Sequence, residues 1–322
     1  MTISFQGVYG FISQLTISMD TLLDATAVPV TETVTIVTPG EKADQAYLRA
    51  KPIIQFFGVQ VTAILPQADM LALAGVVQAD DKIAFVASRT AADIEVGGQL
   101  DLLRSGSFTH TRGLYYGGVS DLDALKFQSA YVGRALSTNF EGSLTTQTMH
   151  LKDLLGIQPD PTITQTTLNK AKAAGADTYI DIQGVAKTFC SGANAFFDSV
   201  YNLLAFVGDL KIAGFNLLAQ TSTKIVQTED GVNTLTTAYR EVCKKYSANN
   251  YVAPGTWNSP NFFGSQADLL ANIAQRGYYI YSQPVSQQSA ASRTAREAPV
   301  VQIAIKEAGA IHSGSVIVNI NQ

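Results

Sequence analysis

Few residues in this sequence have types and spacings that could do chemistry. The three histidines are His110, His150 and His312. None has a second His, Cys or carboxylate at the short spacing of a zinc site. Each is expected in a turn or on the surface, with His312 between two closing strands. Cys190 and Cys243 lie far apart and out of metal-type spacing. They are expected as small buried apolar residues, and a disulfide framework needs more cysteines, so a reducing compartment fits best. Asp177 and Asp181 flank Tyr179 on an expected strand. Two carboxylates can share acid–base work, but four residues of strand put them about 13 Å apart, too far to share a proton. They read as solvated strand ends. Gly40 follows Pro39, and Gly117-Gly118 follows a strand. Neither matches a phosphate-binding glycine pattern, and no nucleophile elbow or H-E-x-x-H is present. The expectation is a non-enzyme with no cofactor and no metal.

Composition points the same way. The chain has 322 residues, enough for one large or two modest domains. Charged residues make up 15% and apolar ones 46%, whereas a typical soluble domain is about a quarter charged. So little charge implies that other subunits bury part of the surface. The net charge of −4, without a Lys/Arg cluster, argues against direct nucleic-acid binding. Tyr115-Tyr116 and Tyr278-Tyr279 with Tyr281 lack the basic neighbours of a base-stacking platform. Residues 1–10 lack the charged start and sustained apolar run of a signal peptide. The apolar stretch from Leu203 to Leu218 is interrupted by Asp209 and Lys211, so membrane insertion is not expected.

The elements follow from periodicity. Strands are expected at 33–38, 59–65, 82–87 and 111–116, with helices at 41–57, 69–77, 90–103 and 120–136. Pro52 is expected to kink the first helix and Gly58 to cap it, while Ser120, with Asp123 three residues on, caps the last. Alternating strands and helices imply βαβ crossovers. Residues 139–160 read as a connection within one domain. Beyond it come a helix at 163–174, a strand at 178–182 and a loop at 189–192. Residues 194–220 form one long helix or two, with Gly208 and Gly214 as candidate breaks. A helix at 230–246, a loop at 249–264, a helix at 268–276, a strand at 278–281 and a polar segment at 282–297 complete the series. The fold class expected is α/β, with α+β as the alternative: a mixed β-sheet flanked by helices, with extended N- and C-terminal β arms. The expected divisions are an arm at 1–30, α/β parts at 31–140 and 141–307, and a C-terminal arm at 308–322.

Residues 298–322 hold two β-branched runs, one at 300–305 and one at 315–320, separated by Gly309 and Gly314. A terminal strand can join its own sheet, fray, or add to a neighbour's sheet edge.

An ordered series of stretches resembles the tail sheath-like protein family of contractile-tailed phages. They are THTRGLYY from Thr109, LLGI from Leu154, KAKAAG from Lys170, KIVQTEDGV from Lys224, APGTW from Ala253, RGYYI from Arg276 and REAP from Arg296 onward. The resemblance implies a structural virion protein, assembled in the host cytoplasm as stacked hexameric rings of a helical sheath. Implied partners are further copies of the chain, the tail tube protein, and the baseplate and tail terminator proteins. It also implies that terminal strands are exchanged between neighbours while the sheath contracts and drives the tube into the host. On that basis residues 300–305 belong to the subunit's own sheet. Ser315, Val316, Ile317, Val318, Asn319 and Ile320 form the exchanged arm, Gly309 and Gly314 its hinge, and residues 2–17 a weaker N-terminal counterpart. The alternatives are another tail component (tube, terminator or baseplate protein) or an α/β enzyme with an unrecognised site.

Overall fold

The computed structural model describes residues 40–315 except 55 and 119. The N-terminal arm, the strand expected at 33–38 and the arm residues Val316, Ile317, Val318, Asn319 and Ile320 lie outside the described residues.

The first sheet is parallel, in the order β1 (Gly58–Gln60), β2 (Ile83–Ser88), β3 (Thr111–Tyr115). Every residue of β2 and β3 is buried, as parallel strands covered on both faces require. Alternation along β2 sends Ala84 and Val86 into one core and Ile83, Phe85 and Ala87 into the other. The first core is built by α2 (Gln67–Gln78), whose Met70, Leu73, Ala74 and Val77 recur at helical spacing, and by Leu100 and Leu103 of α3 (Gln99–Ser105). The second is built by Ala124, Phe127 and Tyr131 of α4 (Asp121–Ala135). Ser120 caps α4 as expected, accepting from the Asp123 N–H.

Local chemistry explains where the elements depart from expectation. α1 (Ala43–Ala50) stops before Pro52 instead of kinking there, because proline has no N–H for the helix ladder and its ring crowds the preceding turn. Gly58 then opens β1 rather than capping a helix, and β1 ends at Gln60. The helix expected at 90–103 splits into a 3-10 turn (Ala91–Ile94) and α3. The break falls at Val96-Gly97-Gly98, where Gly97 has φ +78°.

After α5 (Gln165–Ala173), β4 (Thr178–Ile182) pairs antiparallel with β5 (Val185–Phe189), a strand the sequence pattern missed. Gln183 and Gly184 both take positive φ (55° and 84°), the geometry of a two-residue primed turn. Just before β4, Asp177 bridges Leu114 in parallel, donating its N–H to Gly113 O and accepting from the Tyr115 N–H. The hairpin is thereby tied to the β3 edge, so parallel and antiparallel pairings meet there.

α6 (Phe197–Gln220) is one uninterrupted 24-residue helix. Gly214 is not a break; an added Cβ would lie 2.7 Å from Tyr239 Oη of α7 (Glu229–Ala248), so glycine permits the close approach of the two helices. By length and composition alone α6 is apolar enough to cross a membrane, contrary to the expectation from Asp209 and Lys211. Both charges are partnered within the fold. Asp209 accepts from Tyr246 Oη at 2.8 Å and pairs with Lys245 at 2.7 Å, and Lys211 pairs with Asp81. α8 (Gln266–Arg276), capped by Ser265, leads into β6 (Tyr278–Ser282), which pairs antiparallel with β7 (Val301–Ile305). The polar segment between them holds the short helix α9 (Ala290–Thr294). Mixed α/β character is therefore observed, with the strands of the described residues distributed over three small sheets.

Candidate assembly interface

The β6–β7 pair is sandwiched but not enclosed. On one face Tyr278, Ile280, Ile303 and Ile305 pack with Phe206, Tyr246 and Tyr251. On the other, Tyr279 and Ala304 pack with Leu269, Ile273 and Phe263. Among the described residues no strand pairs with the outer edge of either β6 or β7. An unpaired edge presents a row of N–H and C=O groups that another chain can match. A shallow groove beside β6 is lined by Arg240, Asn272, Arg276, Tyr278 and Tyr279. Nearby on α6, Ile212, Phe215 and Leu218 are 57%, 69% and 63% exposed.

β7 runs into the C-terminal segment. Glu307 bridges Val252, and the Ala308 N–H donates to Tyr251 O at 2.8 Å. Gly309 and Gly314 follow in the open, with no atom within 4 Å of an added Cβ and no positive φ at either. Ser315 is exposed.

Two groups of residues stand closer together than their sequence positions suggest. His150 is buried, not at the surface, and His312 is half-buried against it. Their rings stack with centroids 4.6 Å apart. Burial, and then the charge of His312, holds the His150 imidazole below its usual range. His110 is half-buried, with Nδ1 3.0 Å from Asp80 O.

Asp177 is the second correction. It is fully buried rather than a solvated strand end, because the bridge to Leu114 carries it into the core. Its carboxylate accepts from Tyr131 Oη at 2.7 Å and from the Ser191 N–H at 2.9 Å, and faces Arg112 Nε at 3.7 Å. Arg112 Nη2 donates to Ala195 O at 2.8 Å. Asp181 is exposed and accepts from the Gly184 N–H in the hairpin turn. Both cysteines are buried, as expected. Burial pushes the Cys190 thiol well up, and His150 Nδ1 accepts from the Cys190 backbone N–H rather than facing its sulfur. This cluster braces β3, α4 and the start of β4 and presents no nucleophile to solvent.

Residues 197–320 match the family described as E217 tail sheath protein gp31-like, C-terminal domain. The match begins at the first residue of α6 and spans α7, α8 and the β6–β7 pair, so it covers the later part of the resemblance traced from Thr109. A chain in the cryo-EM structure of the anti-feeding prophage (AFP) baseplate, 6-fold symmetrised, has a similar fold. It aligns at a TM-score of 0.57 with 10% identity, over 88% of this chain and 74% of that one. No curated protein matches the sequence.

The stretches that carry the resemblance were legible in the sequence. The open edges, the exposed α6 stripe and the two clusters were not, since none leaves a local motif. The one available signal for Asp177 was its place directly before a strand in a largely apolar stretch.

Proposed function

We propose that this chain is a structural subunit of a contractile tail sheath. It polymerises as stacked hexameric rings around a tail tube by adding a terminal strand of one copy to the β6–β7 sheet of another. The observation that carries this reading is the two-stranded β6–β7 sheet, unpaired at both edges among the described residues, within the segment that matches a sheath C-terminal domain. Main-chain pairing at such an edge supplies affinity without regard to side chains and survives reorientation of the domains it links. In this reading residues 315–320 are the donated arm, Gly309 and Gly314 its hinge, and the arms at 1–30 and 308–322 flank two α/β parts divided near residue 140. Partners are further copies of this chain, the tube, and the terminator and baseplate proteins. The subunit acts in the virion and performs no catalysis.

The test is negative-stain microscopy of the chain expressed alone or with its tube. Long helical assemblies are expected, and removal of residues 315–322 abolishes them while far-UV circular dichroism stays nearly unchanged. A truncated chain that still polymerises sinks the arm assignment. The likeness to a chain of a six-fold baseplate supports a second reading, a ring-forming baseplate component. Closed rings that never extend into tubes would favour it.

A further inference from the structure

Among the described residues, the stretch from 309 to 315 meets the body at one point. Every other residue in that stretch is exposed, and His312 alone is half-buried. Its ring lies against His150, with 24° between the planes. Phe196 meets it edge-on at 4.5 Å, and Nε2 stands 2.9 Å from Thr148 Oγ1. His150 is held in turn by the edge of Phe189 at 5.2 Å. Its Nδ1 accepts from the Cys190 N–H at 3.1 Å. An imidazole nitrogen that accepts from a main-chain N–H carries no proton, so His150 is neutral in this arrangement.

We propose that the His150–His312 stack is a pH-sensitive latch. It holds residues 308–315 on the body at neutral pH and releases them on acidification. A proton on His150 Nδ1 points at the Cys190 N–H and breaks that bond. It also makes His150 a cation stacked on a second imidazole with ring centroids 4.6 Å apart, and two charged imidazoles at this separation repel. Other groups facing the pair pull both ways. Asp177 favours a charged His150, while Lys172 and Lys152 oppose it. Asp198 of α6, whose carboxyl is pushed up by burial, interacts with His312, and Glu307 raises Asp198 further. Arg112 faces Asp177 across the core, and the Cys190 thiol is kept neutral by burial. The balance at His150 is toward the neutral form. A histidine whose folded form favours neutrality contributes its stability above the ordinary histidine pKa of about 6.5 and loses it as pH falls below that value. The latch is therefore closed at neutral pH and opens under mildly acidic conditions.

The consequence for assembly rests on the arm reading of residues 315–320. They begin three residues beyond His312, so the latch would decide whether the arm is parked on its own subunit or presented to another.

Hydrogen–deuterium exchange on the full chain at low concentration tests the latch at about pH 7.5 and about pH 5.5, either side of the ordinary histidine pKa. After correction for intrinsic rates, the peptide carrying the Ala308 amide, which donates to Tyr251 O, is expected to exchange about tenfold faster at the lower pH, as local release of a held segment allows. His312→Ala should exchange fast at both values. His150→Asn keeps an acceptor for the Cys190 N–H near the Nδ1 position without a titratable ring and should stay protected at both. Equal exchange of the unmodified chain at the two pH values overturns the latch, as does a pH response that survives in H150N or protection that survives in H312A. The measurement is made without assembly. Absent polymers with pH-dependent exchange would leave the latch standing and remove the sheath reading, whereas polymers with pH-independent exchange would remove the latch alone.

Discussion

In the β1–β3 sheet every residue of β2 and β3 is buried, whereas in the β6–β7 pair only Tyr278 and Ala304 are. The edges differ as well. The first sheet ends on one side in a three-residue strand, and on the other it is tied at Asp177 to the β4–β5 hairpin. The second is a bare pair among the described residues. A sheet with short or occupied edges is closed to further strands, while a longer unpaired pair is a template. The contrast assigns them different work. The first sheet is a finished core that stabilises the subunit by itself. In the reading proposed above, the second is completed by a strand added from another copy.

The largest expected effect comes from the buried ion pair that ties down the first sheet. Asp177→Ala leaves the Arg112 side chain, 2% exposed, without its carboxylate and leaves Tyr131 and the Ser191 N–H unpaired. Breaking a buried pair in this way costs about 3–5 kcal/mol, read as a fall in the urea midpoint at unchanged slope. A cost under about 1 kcal/mol, the scale of an exposed pair, would mean that the first region is not braced as described. A somewhat smaller effect is expected beneath the second sheet. Ile273 of α8 is fully buried under Tyr279 and Ala304, and truncation to alanine costs about 2–5 kcal/mol, depending on how far the site collapses. If β6–β7 is supported chiefly from this side, faster hydrogen exchange in Ile273→Ala is confined to β6, β7 and α8. Equal acceleration in β2 and β3 would dissolve the distinction between the regions.

How much of this was legible in the sequence follows the same divide. β2, β3, α2 and α4 were found nearly to the residue, because continuous apolar runs and helical spacing report burial on both faces directly. The parallel order followed from the βαβ rhythm. β5 escaped because its turn is Gln183-Gly184, and glutamine is not among the residues that advertise a primed turn. Asp177 was misread because an aspartate at a strand's start is usually solvated, and its partners Arg112, Tyr131 and Ser191 come from three other places in the chain. His150 and His312 were misread for the same reason, since contacts made at long sequence separation leave no local pattern. β6 and β7 were found as strands, but that no other described strand pairs with their outer edges depends on how distant elements are placed.

The smallest effect gives the finest test. Ser120 and Ser265 cap one helix in each region, α4 over the first sheet and α8 under the second, each accepting from the backbone N–H three residues on, at 3.3 and 3.2 Å. Replacing either with alanine removes one acceptor and costs about 1 kcal/mol. If the chain unfolds as a single cooperative unit, Ser120→Ala and Ser265→Ala lower the same urea midpoint by similar amounts. If the two sheets belong to separate units, Ser265→Ala moves only the transition reported by probes in the second region, such as Trp257 fluorescence, and Ser120→Ala moves only the other. α6 decides between these outcomes, because it contributes Phe197 and Tyr201 to the second core of the first sheet and Phe206 to the core under β6. A helix shared by both cores couples them, so one transition is expected, with β6–β7 exchanging fastest within it. Two separated transitions would show that α6 transmits little, and that the sheet awaiting a partner strand is held apart from the body energetically as well as in its edges.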